Sequence, residues 1–133
     1  MYNTKPNLSV RWFYLAIGVI AMLFAGILYA WSILKAPFAS DFSWGASDLA
    51  LNFTLAMCFF CIGGFLSSQL VRRIGTRLTI IIAGAMAVLG FILSPLVGTS
   101  SPLALYITYA FLSGLGIGMA YIVIISTVNS WFP

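Results

Sequence analysis

Tyr29 and Tyr121 are the side chains of this sequence best suited to meet a small charged molecule. Each is a phenol set inside a long apolar stretch, whereas aromatic residues of membrane helices usually collect at the interfaces. At about 100° per residue, Gly18, Ala25, Tyr29 and Ser32 fall within a narrow arc of one helix, with Trp31 pointing nearly the opposite way. Ala110, Gly114, Gly118 and Tyr121 form a similar stripe on another. A phenol at the end of a small-residue face can project a hydroxyl donor into a cavity and would suit a small carboxylate. The same hydroxyl would serve equally well to cap a helix–helix contact.

Other chemistry finds little support. Cys58-Phe59-Phe60-Cys61 has too few ligands for a metal centre, because a zinc site wants about four and the chain has no His and no further Cys. The two thiols are expected to be small, buried packing residues. There is no pair of carboxylates on one helix face, no nucleophile beside a base and no phosphate loop, so catalysis is the least supported class and no cofactor is implied. Most of the polar residues within the stretches, Asn52, Thr54, Ser67, Ser68, Gln69, Thr108, Ser126, Thr127 and Asn129, are expected to be structural, since each can bond a helix carbonyl or a neighbouring helix.

The elements that must carry the tyrosines are read from charge and hydropathy. Residues are 62% hydrophobic and 6% charged, which leaves no room for a soluble domain. The charges lie outside four apolar stretches, which predict helices over about 12–34, 49–71, 78–96 and 103–128, preceded by an N-terminal tail at 1–11. The apolar runs do not alternate, which excludes a β-barrel. Lys5 and Arg11 in the tail, with Arg72, Arg73 and Arg77 between the second and third stretches, mark one side. Between the first two stretches Lys35 is offset by Asp41 and Asp48. Basic loops stay in the cytoplasm, so both termini are expected there, in a multi-pass protein of the plasma membrane. The net charge of +4 is therefore a topology signal and not a nucleic-acid footprint. The first stretch is too long, and lacks a small-residue cleavage site, for a removable signal peptide. Close helix packing in lipid relies on small residues, and Gly114 and Gly118 share a face that would serve it.

Three segments carry a resemblance: Arg11-Trp12-Phe13-Tyr14-Leu15, Gly26-Ile27-Leu28-Tyr29-Ala30-Trp31-Ser32, and Gly114-Leu115-Gly116-Ile117-Gly118-Met119-Ala120-Tyr121 followed by Asn129-Ser130-Trp131-Phe132-Pro133. Together they make the chain similar to the oxalate/formate antiporter family of the major facilitator superfamily. Tyr-Ala-Trp-Ser and Trp-Phe-Pro are its more specific parts. The superfamily's loop signature, roughly Gly-x-x-x-Asp-Arg-x-Gly-x-Arg, aligns on Arg73, Gly75 and Arg77, with Ser68 in place of the Gly and Arg72 in place of the Asp. The resemblance makes Arg73, Gly75 and Arg77 a cytoplasmic gate loop, whereas the bare charges are explained as well by a topology anchor.

The resemblance implies an all-α membrane protein, the N-terminal portion of a twelve-helix fold, with the remaining C-terminal helices of the same transporter as partners and the chain expected to be truncated. It implies transport of a small organic anion, a mono- or dicarboxylate such as oxalate or formate, by alternating access. Tyr29 and Tyr121 match aromatic positions that contact substrate in that family, whereas Leu28 stands where the oxalate transporter has Gln. Two other readings fit the size: a four-helix multidrug exporter working as a dimer, although the chain lacks the membrane-embedded Glu such proteins use, and a non-transporting membrane subunit using the Gly114/Gly118 face for a partner.

Overall fold

Apolar surroundings force every backbone polar group to bond within its own segment, which leaves the helix as the natural unit of this chain. The computed structural model describes residues 8–42, 44–97 and 101–132, and among these all regular structure is helical. Four helices are long and apolar enough to cross a membrane: Leu8–Asp41, Ala46–Ile74, Thr76–Leu96 and Pro102–Trp131. The fold is that of an all-α membrane protein. Lys5 and Pro133 lie outside the described residues.

The first span begins inside the segment expected as a tail and stays helical to Phe42, beyond the 34 expected from hydropathy. Hydropathy marks the hydrocarbon crossing, and a helix need not end where the oil does. Lys35, Ser40 and Asp41 extend it into polar surroundings, and the Ser40 hydroxyl donates to the Pro37 carbonyl at 3.0 Å. The second and third spans form one continuous helical run broken only at Gly75, where φ is +83° and ψ 165°. That backbone region is essentially restricted to glycine. The fourth span starts from Ser101 in extended conformation, with Pro102 in its first turn, where a missing N–H costs nothing.

Two spans change helical pitch. The first tightens to a 3-10 helix over Gly26–Ala30. The fourth widens to a π-helix over Tyr106–Ser113, which buries Thr108, Tyr109, Ala110 and Ser113. A 3-10 helix turns about 120° per residue instead of about 100°, so five such residues advance the phase by roughly 100°. The arc expected for Gly18, Ala25, Tyr29 and Ser32 is accordingly broken. Gly18 is buried, Tyr29 and Ser32 are exposed, and Trp31, expected to point away, is 3% exposed.

The fourth span is the most buried and the first the least. Glycines explain why. A Cβ built on Gly114 would stand 2.7 Å from the Ala56 carbonyl oxygen of the second span, and one on Gly118 would overlap the Phe60 backbone. On another face, a Cβ on Gly116 would stand 2.7 Å from the Ala87 nitrogen of the third span. Gly63 and Gly90 return these contacts, meeting Leu115 and Ser113 of the fourth span. Backbones this close gain dispersion and weak Cα–H···O contacts, the main sources of attraction between helices in lipid. The first span meets the fourth at Gly18, whose Cβ would lie 2.8 Å from Val128, and the rest of that seam is an apolar groove of about 400 Å³.

The close approach is testable. Gly118→Ala puts a methyl into the Phe60 backbone and is expected to cost about 1–3 kcal/mol, the range for overpacking. Gly84→Ala, with nothing within 4 Å of the added methyl, is expected to be neutral or slightly stabilising. Thermal unfolding of the two variants in detergent checks the pair, and equal melting points would contradict the packing.

Candidate functional site

Tyr29 and Tyr121 are both exposed, at 59% and 37% respectively. Neither hydroxyl has a hydrogen-bond partner among the described residues. The Tyr121 ring packs on Phe60 with centroids 5.4 Å apart and planes tilted by 57°, which steadies it one turn from Gly118. Tyr29 sits in the 3-10 segment. The structure does not join the two tyrosines to each other by a hydrogen bond or ring contact. Both phenols remain uncommitted donors on faces that these four helices do not cover.

Their neighbours were not picked out by sequence reasoning. Next to Tyr29 in the chain, Leu28 and Trp31 enter a core with Leu49, Ala56, Leu105 and Tyr109. The Trp31 indole N–H donates to the Leu49 carbonyl at 3.0 Å and the Tyr109 hydroxyl to the Leu28 carbonyl at 3.4 Å. Their rings lie 4.7 Å apart, and Phe91 meets Tyr109 edge-on at 5.6 Å. This lock ties the first span to the second, third and fourth and fixes the stretch that carries Tyr29. The missed signal was the spacing of Trp31 from Leu28, which is one 3-10 turn. Asn52 is also fully buried, with neither amide atom hydrogen bonded among the described residues.

Four arginines gather at the other end. Arg72, Arg73, Gly75 and Arg77 are all exposed around the break between the second and third spans. Arg72 and Arg77 line a cavity of about 750 Å³, together with Tyr14 of the first span and Trp131 of the fourth. The Tyr14 and Trp131 rings stack with centroids 4.8 Å apart at 16°, and the Arg11 guanidinium lies 4.7 Å from the Phe132 ring centre, a cation–π contact. The two terminal motifs of the sequence therefore meet in space. Arg73 does not line this cavity. Cys58 and Cys61, expected to be buried, are free and exposed on the second span, and no cluster of three or more potential metal ligands exists among the described residues.

The chain is 30% identical over 127 residues to the oxalate:formate antiporter of Oxalobacter formigenes, a match covering 95% of this chain and 30% of that protein. It is 25% identical over 123 residues to the uncharacterized MFS-type transporter YhjX of Escherichia coli (strain K12), covering 92% of this chain and 30% of the relative. A third relative, monocarboxylate transporter 2 of Mesocricetus auratus, is 28% identical over 125 residues, covering 91% and 25%. The chain thus spans 30% or less of the length of these curated relatives. No protein-family model matches it. The relatives are transporters, and four apolar helices without a strand among the described residues fit the N-terminal portion of a major facilitator fold.

Gly75 offers a test of the turn between the second and third spans. Gly75→Ala meets no atom within 4 Å but must adopt φ +83°. It is expected to cost about 1–3 kcal/mol from backbone strain alone, read as a lower melting temperature. Gly26→Ala, with equal space and no positive φ, serves as its control and is expected to leave the melting temperature unchanged.

Proposed function

We propose, from the homology of this chain with the oxalate/formate antiporter group of the major facilitator superfamily, that it forms part of a transporter of small organic anions, mono- or dicarboxylates such as oxalate or formate. The observation that carries this reading is the pair of uncommitted phenols. Among the described residues Tyr29 and Tyr121 present hydroxyls with no hydrogen-bond partner, on exposed faces within the apolar stretches 12–34 and 103–128, which hold no charged side chain. A carboxylate offers two acceptor oxygens, and charge-assisted hydrogen bonds to them are stronger than neutral ones. Two phenols cannot neutralise a dianion in a low-dielectric path, where an unpaired charge is expensive. Countercharge therefore comes from the further C-terminal helices of the same transporter, and the uncovered faces of Tyr29 and Tyr121 are turned towards them.

In this reading the arginine-rich end is cytoplasmic, as basic loops are retained on that side during insertion, and the membrane is the plasma membrane. Arg73, Gly75 and Arg77 form the gate loop. Gly75 supplies the sharp reversal that holds the second and third spans antiparallel, and the guanidiniums change partners as the two halves rock about a midplane site. Tyr29 and Tyr121 then meet the substrate from the two ends of the path. Two of the relatives are named for carboxylates, oxalate and formate in one case and monocarboxylates in the other, which supports a carboxylate here.

The test is uptake of labelled oxalate and of formate into proteoliposomes containing the product of the complete reading frame that carries this sequence. Tyr29→Phe and Tyr121→Phe remove only hydroxyls that make no hydrogen bond among the described residues, so folding is expected to be intact. Loss of a hydrogen bond to a charged group, about 1.5 kcal/mol or more, corresponds to about a tenfold rise in KM. Unchanged kinetics in both variants would remove the assignment.

A further inference from the structure

The cavity at the arginine end contains a charge problem that the chain does not solve. Arg72 and Arg77 line it and form no ion pair among the described residues. The only acidic residues of the whole sequence are Asp41 and Asp48, which flank the opposite ends of the first and second spans. A second span of 29 residues separates the two ends by roughly 40 Å at about 1.5 Å per residue. Among the described residues, therefore, no acidic side chain is placed to neutralise the pair.

The remaining lining is of two kinds. Ser68, Thr76 and Ser126 are among the lining residues, and their hydroxyls have no hydrogen-bond partner among the described residues. Ile17, Ile80 and Ile122 supply apolar wall on three different spans. The volume of about 750 Å³ falls in the range of small-molecule sites, about 300–1,000 Å³. Guanidiniums and hydroxyls beside an isoleucine wall match a ligand that is anionic at one end and apolar along its length. The end of a membrane span, where these arginines lie, is also the depth of the lipid phosphates, and basic pockets between membrane helices are suited to anionic headgroups.

We propose that this cavity binds an anionic glycerophospholipid, its phosphate held by Arg72 and Arg77 and an acyl chain laid along the isoleucine wall. Two guanidiniums can each offer parallel N–H donors to phosphate oxygens, and Ser68, Thr76 and Ser126 add single donors. The Tyr14–Trp131 stack closes one side and joins the site to the seam between the first and fourth spans. Lipid binding would thus brace the loosest contact in the fold. This site shares Arg77 with the proposed gate loop but contains neither Tyr29 nor Tyr121, and it stands whatever the transported solute is.

The experiment uses the full reading-frame product purified in detergent. Its melting temperature is measured after adding dioleoylphosphatidylglycerol, dioleoylphosphatidylcholine, or soluble inorganic phosphate. Phosphatidylglycerol is expected to raise it by several degrees more than phosphatidylcholine, and inorganic phosphate to leave it unchanged. The double variant Arg72→Gln/Arg77→Gln is expected to lose the difference between the lipids, and Arg73→Gln, whose side chain lies outside the cavity, to keep it. Should the double variant fold poorly, Ser126→Trp fills the cavity with both arginines intact and is likewise expected to lose the difference. Equal shifts from the two lipids, an equal shift from inorganic phosphate, or full retention of the difference in Ser126→Trp would each overturn the proposal.

Discussion

Where Gly118 faces Phe60 and Gly114 faces Ala56, the backbones of the fourth and second spans stand too close for any side chain to intervene. Gly116 does the same against Ala83 and Ala87 of the third span. Lipid supplies no hydrophobic drive between helices, so attraction depends on how closely backbones approach. Everything else in the fold follows from that wedge. It sets the height at which Tyr121 leans on Phe60 and buries Leu115 and Met119 against Ala83. It also leaves the first span to attach by separate means: the Trp31–Tyr109 lock at one end and the Tyr14–Trp131 stack at the other. Between those fastenings the seam is apolar and open.

The four crossings were legible because a bilayer imposes a length of about 20 apolar residues that few other environments demand. Their ends were not, because Lys35, Ser40 and Asp41 stop the apolar run without stopping the helix. Side-chain direction was legible only where the pitch is regular. The four-residue spacing of Gly114 and Gly118 puts both on one face of an α-helix, but nothing in that spacing names Ala56 and Phe60 as their partners. Across Gly26–Ala30 the pitch tightens, and a projection at constant angle sends Trp31 outward when it is in fact buried. Cys58 and Cys61 were misread for a related reason: small thiols suit a packed interface, yet in lipid an outward position costs them little, and the glycines take the interface. The role of Arg72 in lining the cavity needs the third dimension, since Tyr14 and Trp131 lie far from it in sequence.

The molecule is chemically polarised along its spans. One end holds the sequence's two acids, Asp41 and Asp48, and the aromatic lock; the other holds Arg11, Arg72, Arg73 and Arg77 with no acid in reach. The two uncommitted phenols lie on faces that the four helices leave uncovered, Tyr29 next to the aromatic lock in the chain and Tyr121 against Phe60. In the proposed transporter an anion would be attracted by positive potential at one end and met by neutral donors within. The most direct test of that account is counterflow in proteoliposomes containing the complete reading-frame product. Vesicles are preloaded with unlabelled formate or oxalate, and entry of labelled oxalate or formate is followed against empty vesicles. The account predicts entry that accelerates with internal carboxylate and is indifferent to an internal organic cation. Entry at the same rate into preloaded and empty vesicles, or exchange of the cation alone, would contradict it.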